Sequence, residues 1–123
     1  MDRLRWVIVG CGHPVQQSVA LAMLQDKHSK LVGFCGASLK WAEQMRQQFG
    51  ADWAYDCVEA AITDAQVDAV YVSSPVVRHC AHAVAAADAG KHVMCEAPMA
   101  SSVAECRAMI TAANALDVHL SVA

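Results

Sequence analysis

The sequence predicts an α/β protein: a three-layer, doubly wound parallel sheet of about six strands in the order 3-2-1-4-5-6. Three observations predict it. Short β-branched runs alternate with longer helical segments along the whole of the 123 residues. The short runs lack polar alternation, which places them in a parallel sheet covered by helices on both faces. A glycine-containing turn also joins the first run to the first helix. Right-handed crossovers leave few ways to wind such units, and the doubly wound order is the common solution.

Each element has its own local justification. Trp6-Val7-Ile8-Val9 is a β-branched run ending at Gly10. Val15 to Lys27 reads as a helix with Val19, Leu21, Ala22 and Met23 at its apolar positions. Leu31 to Cys35 is a second strand, and Leu39 to Phe49 a second helix that Gly50 closes in a left-handed conformation. Trp53-Ala54-Tyr55 is a brief strand. Asp56-Cys57-Val58-Glu59 has capping-box spacing and opens a short helix to about Thr63. Ala69 to Ser73 is the strongest strand. An alanine-rich helix from Val77 to Ala89 follows, closed by Gly90. His92 to Cys95 is a strand, and Ser102-Val103-Ala104-Glu105 is a second capping box opening a helix to about Leu116. His119 to Val122 is the last strand. Trp6, Trp41, Trp53, Met109, Ile110 and Ala113 are expected in the core.

Composition narrows the function classes. The chain is 56% hydrophobic and 17% charged, enough to bury a core as one domain, residues 1–123. Nine Lys+Arg against twelve Asp+Glu give a net charge of −3, which offers no basic footprint for nucleic acid or an anionic membrane. No apolar run approaches the roughly 18–20 residues of a membrane span. The start of the chain goes almost at once into a strand-like run, without the features of a cleaved signal. Cys11, Cys35, Cys57, Cys80, Cys95 and Cys106 lie 11 to 24 residues apart without a Cys-x-x-Cys pair. They read as reduced thiols in or near the core of a cytoplasmic protein.

Gly10-Cys11-Gly12 lies between the first strand and the first helix, where a dinucleotide-binding turn belongs. The first glycine permits the turn. The second lets the backbone approach a pyrophosphate seated at a helix N-terminus. His13 can add charge there when protonated. The third small residue of such a motif falls on Val15, which can push the helix off the strand. After the second strand, where NAD sites place an acid, the chain reads Phe34-Cys35-Gly36-Ala37-Ser38-Leu39-Lys40. With no acid, and with Ser38 and Lys40 nearby, this end favours NADP over NAD. The same two residues read equally as a helix cap and a solvated charge. His79 and His82 share a helix face, and zinc would need further converging ligands, so no metal site is expected.

Two longer segments are more specific. Ser73-Ser74-Pro75-Val76-Val77-Arg78-His79, with His82, precedes Ala89-Gly90-Lys91-His92-Val93-Met94-Cys95-Glu96-Ala97-Pro98-Met99-Ala100. Together they resemble the N-terminal domain of the Gfo/Idh/MocA oxidoreductases. That resemblance implies a Rossmann domain holding NAD(P), joined to a larger domain that shapes a sugar or polyol site. It assigns Gly10 and Gly12 to the phosphate loop, and Ser74 and Pro75 to the nicotinamide ribose. Glu96 and Pro98 match the fifth-strand motif, and His79 the motif histidine. Glu96 and His79 are the catalytic candidates, with Glu96 more a positioning residue. Gly10, Cys11, Gly12, His13, Ser38, Ser74, Pro75 and Glu96 are the expected cofactor residues. The motif lysine is replaced by Ala97, the asparagine by Val76 and the acid by Gly36. The larger domain is absent from the sequence.

Three functions follow as expectations. The first is a nicotinamide-dinucleotide-binding module that is not self-sufficient in catalysis. The second is an oxidoreductase completed by a partner subunit or missing domain. The third is an interaction remnant that no longer binds nucleotide. The surface that a second domain would cover is expected to pair copies into a homodimer or higher oligomer.

Overall fold

The computed structural model describes residues 2–10, 15–36 and 38–123, with the backbone alone at 15 and 16. The chain alternates strand and helix: β1 (Leu4–Gly10), α1 (Val15–Gln25), β2 (Ser29–Cys35), α2 (Leu39–Phe49), β3 (Trp53–Tyr55), α3 (Val58–Ile62), β4 (Ala69–Ser73), α4 (Val76–Asp88), β5 (His92–Cys95), α5 (Val103–Ala115) and β6 (Leu120–Val122). All strand pairs are parallel, in the order β3-β2-β1-β4-β5-β6. This is the doubly wound order that the sequence predicts.

The period-two alternation of the strands sends apolar side chains to two cores. Val7, Val9, Val70, Val72, Val93 and Cys95 face one way, against Ile62, Ala83, Ala86, Ala87, Met109 and Ala112. Ile8, Leu31, Phe34 and Tyr71 face the other, against Ala20, Met23, Ala42, Met45 and Phe49. Alanine at the contact positions of α4 and α5 lets those helices approach the sheet closely.

Several expectations are corrected. Trp53 is 51% exposed, because β3 is an edge strand. Ile110 is exposed, and α5 buries Met109, Ala112 and Ala113 instead. Leu21 and Ala22 face outward, while Ala20 and Met23 bury α1. The Asp56 capping box does not form: the N-cap of α3 is Cys57, with no side-chain cap bond. That cysteine is exposed, not near the core.

At the second box Ser102 Oγ caps the helix by accepting from the Glu105 amide at 3.1 Å, while Glu105 reaches back one residue past the cap and accepts from the Ser101 amide at 3.0 Å. Gly50 and Gly90 take positive φ at the ends of α2 and α4, as expected.

The specific Gly-Lys-His segment works at the amino end of the sheet. Lys91 Nζ donates to the carbonyls of Asp64 and Val67 at 3.0 and 2.7 Å. His92 Nδ1 accepts from the His119 amide at 3.0 Å. These bonds tie β5 to the α3–β4 loop and to the start of β6, at the opposite end of the sheet from the turns that follow the strands.

Candidate cofactor-binding site

In an open parallel sheet the strand order reverses between β1 and β4, and the divergence of the flanking crossovers leaves a crevice at the carboxyl ends. A cleft of about 460 Å³ lies there. Val9 and Gly10 end β1, Gly36 follows β2, and Asp56, Cys57, Val58 and Glu59 come from the β3–α3 turn. Ser74, Pro75, Arg78 and His82 come from the turn after β4 and from α4. A larger open hollow, lined by Asp2, Arg3, Arg5, Lys30 and Asp68, sits at the amino ends, where Arg5 pairs with Asp68 and Lys30 with Asp52.

Close backbone approach shapes the β1–β2 side of the cleft. A Cβ built on Gly36 would stand 2.1 Å from the Gly10 carbonyl oxygen and 2.7 Å from the Trp41 ring. The position where the family pattern expects an acid therefore has no room for any side chain.

The β4–α4 side is held by hydrogen bonds. Ser73 Oγ donates to the Val9 carbonyl at 2.9 Å, joining the ends of β1 and β4. His79 Nε2 donates to the Ser74 carbonyl at 2.6 Å. The other His79 nitrogen lies 3.0 Å from the Pro98 carbonyl and 3.3 Å from Cys95 Sγ. Ser74 Oγ and His82 Nδ1 are 2.7 Å apart. Burial pushes the His82 pKa down, and Arg78 adds to this while Glu59 opposes it. Burial likewise raises the Cys95 thiol to about 11 and the Cys35 thiol to about 12, so both stay protonated at neutral pH.

The sequence-predicted residues separate accordingly. Gly10, Ser74 and Pro75 line the cleft together. Cys11, Gly12 and His13 lie outside the described residues. Ser38 is the N-cap of α2, its oxygen accepting from the Trp41 amide at 3.0 Å. Glu96 stands just beyond β5 and is not among the described residues that line the cleft. His79 is only 2% exposed, with both ring nitrogens within hydrogen-bond distance of backbone carbonyls. The two histidines share a helix face as expected, but one staples backbone while the other faces the cleft. Among the described residues no group of three His, Cys, Asp or Glu side chains is placed to hold a metal.

Sequence reasoning missed Arg78 and the Asp56–Glu59 turn as cleft residues. The strand order was the signal that locates them. It puts the β3–α3 and β4–α4 turns beside the switch point.

Residues 4–123 match the family described as an oxidoreductase family with an NAD-binding Rossmann fold, Gfo/Idh/MocA. The chain belongs to this family. It is similar to an uncharacterized oxidoreductase of Rhizobium meliloti, ORF334, at 32% identity over 89% of this chain and 33% of that protein. It is 31% identical to trans-1,2-dihydrobenzene-1,2-diol dehydrogenase of Mus musculus, over 95% of this chain and 35% of the relative. The crystal structure of a biliverdin reductase from Synechocystis, in complex with biliverdin and NADP+, superposes with a TM-score of 0.87 at 32% identity. That match covers 97% of this chain and 37% of the reductase. The chain thus spans about a third of the length of the relatives it matches, and it corresponds to the NAD(P)-binding Rossmann domain of the family.

The residues present fit a dinucleotide. The cleft supplies a strand-end glycine, a guanidinium, a hydroxyl and an imidazole within a volume in the usual range for small-molecule sites, about 300–1,000 Å³.

Proposed function

We propose that the cleft between the ends of β1, β2 and β4 holds the nicotinamide dinucleotide, with Gly10, Ser74, Pro75 and Arg78 as its principal contacts. Cys11, Gly12 and His13 complete the phosphate turn in this reading. The observation that carries it is the convergence of Gly10, Ser74 and Arg78 on one cleft at the switch point. Such a cofactor supplies hydride transfer when bound. The chain's own residues bind and orient it.

The preference between its two forms turns on charge. No acid fits at Gly36, and Ser38 and Lys40 open α2 beside it, which favours the 2′-phosphate of NADP. Asp56 and Glu59 line the same cleft and oppose it. The α2 terminus outweighs them in this reading because it adjoins the position of the missing acid. Calorimetric titration is expected to show binding of both NADH and NADPH, with NADPH tighter and the difference abolished by Lys40→Ala. Absence of any heat at millimolar ligand would overturn the cofactor reading. Tighter NADH would overturn the preference.

A second reading, oxidoreduction of a sugar or polyol, is supported by the family and by the dehydrogenases among its relatives. It needs an acid–base group that Ala97 does not provide, and loss of such a group typically costs about 10²–10⁴-fold. A second domain or partner subunit would supply it, with Glu96 and His79 holding the nicotinamide end in place. We also propose a homodimer formed through the apolar groove beside α1.

A further inference from the structure

Ser74 is gripped at two atoms by two histidines of the helix that follows it. His79 Nε2 donates to its carbonyl, and its hydroxyl meets His82 Nδ1. Both Ser74 and His82 line the cleft, together with Arg78 and Glu59. A neutral imidazole with its proton on Nε2 accepts from such a hydroxyl at Nδ1, whereas the other tautomer donates to it. Once the Ser74 proton is committed to His82, the hydroxyl keeps only lone pairs for the cleft.

We propose that His82 is a positioning residue that turns Ser74 into a hydrogen-bond acceptor toward the cleft, so that Ser74 takes a donor group of the nucleotide such as a ribose hydroxyl. A phosphate oxygen would face these lone pairs unfavourably, so the pair also fixes which part of the ligand lies over β4. The cation beside it, Arg78, is left to take the anionic part. This rests on the cofactor reading above and adds a polarity to one contact.

Two measurements test it. In the ligand-free protein, ¹⁵N spectra of His82 at neutral pH are expected to show Nε2 protonated and Nδ1 as a hydrogen-bonded acceptor. Ser74→Ala is expected to remove that signature. A neutral ring protonated on Nδ1, or a signature unchanged by Ser74→Ala, would overturn the proposal whether or not any cofactor binds.

NADH titrations then form a double-mutant cycle. Ser74→Ala and His82→Phe are each expected to weaken binding about 3- to 10-fold, with the double variant no weaker than either single one. His82→Gln serves as a second variant if the phenylalanine disturbs the fold, and the same non-additivity is expected. Additive losses would make His82 a direct ligand contact and overturn the positioning role. Wild-type protein that binds no NADH would instead overturn the cofactor reading, and the spectra would still decide the Ser74–His82 relation.

Discussion

At Gly36 a single hydrogen atom sets how closely the ends of β1 and β2 approach. Any side chain there meets the Gly10 carbonyl at 2.1 Å, a contact that only backbone movement can relieve. Gly36→Ala is therefore expected to destabilise the protein by about 1–3 kcal/mol, the usual cost of overpacking. It should also weaken NADH binding, because the displaced segment borders the cleft. Urea denaturation checks the first effect, and an unchanged midpoint would show that the loop yields freely. The missing acid was legible in the sequence. Its cause was not, since the approach of residue 36 to residue 10 depends on how the β2–α2 turn bends. The fates of His79 and His82 were hidden for a similar reason. Spacing places both on one face of α4, but only packing against Pro98 and Cys95 buries the first.

Among the elements, the two capping motifs that look alike in sequence separate sharply. Ser102 is the N-cap of α5 and accepts from Glu105 N three residues on, while Glu105 reaches back to the Ser101 amide. Helix α3 instead starts after Cys57, so Asp56 falls one position short of the cap and Glu59 one short of the third helical residue. A one-residue shift is enough to undo the reciprocal pair, and sequence spacing alone does not fix such a boundary. Ser102→Ala is expected to lower stability by about 1 kcal/mol, and Asp56→Ala to leave it near the wild-type value. Thermal or urea melts of the two variants check this, and equal losses would restore the box at Asp56. The alternation of elements was legible throughout, because each helix has a glycine, a cap or an apolar run to mark it. Lys91 shows the limit of motif reading. It belongs to the most specific segment of the chain, yet its bonds to Asp64 and Val67 serve packing at the end of the sheet away from the cleft.

For the whole molecule, the strand order was predictable because short buried parallel strands joined by helices have few right-handed windings. What that order leaves uncovered was not predictable in detail. Helices α1 and α2 pack over β1, β2 and β3 on one face, where Phe34, Met45 and Phe49 fill the core. Beyond α1 the same face carries a mainly apolar groove of about 390 Å³ lined by Trp6, Val19, Met23, Tyr71, Met94 and Ala123. Among the described residues β6 is the edge strand beside it, and Ala123, just past β6, lines the groove. Apolar surface next to a free strand edge favours association, and a twofold axis along that edge would let the same groove and strand of two copies cover each other. Light scattering at increasing concentration is therefore expected to show a dimer. Met94→Glu, which places a charge in the groove, should shift it to monomer. The groove shares no described residue with the cleft, so that variant should keep its affinity for NADH. A wild-type protein that stays monomeric at high concentration would remove the second copy as the occupant of this face. A Met94→Glu dimer would move the interface elsewhere on the molecule.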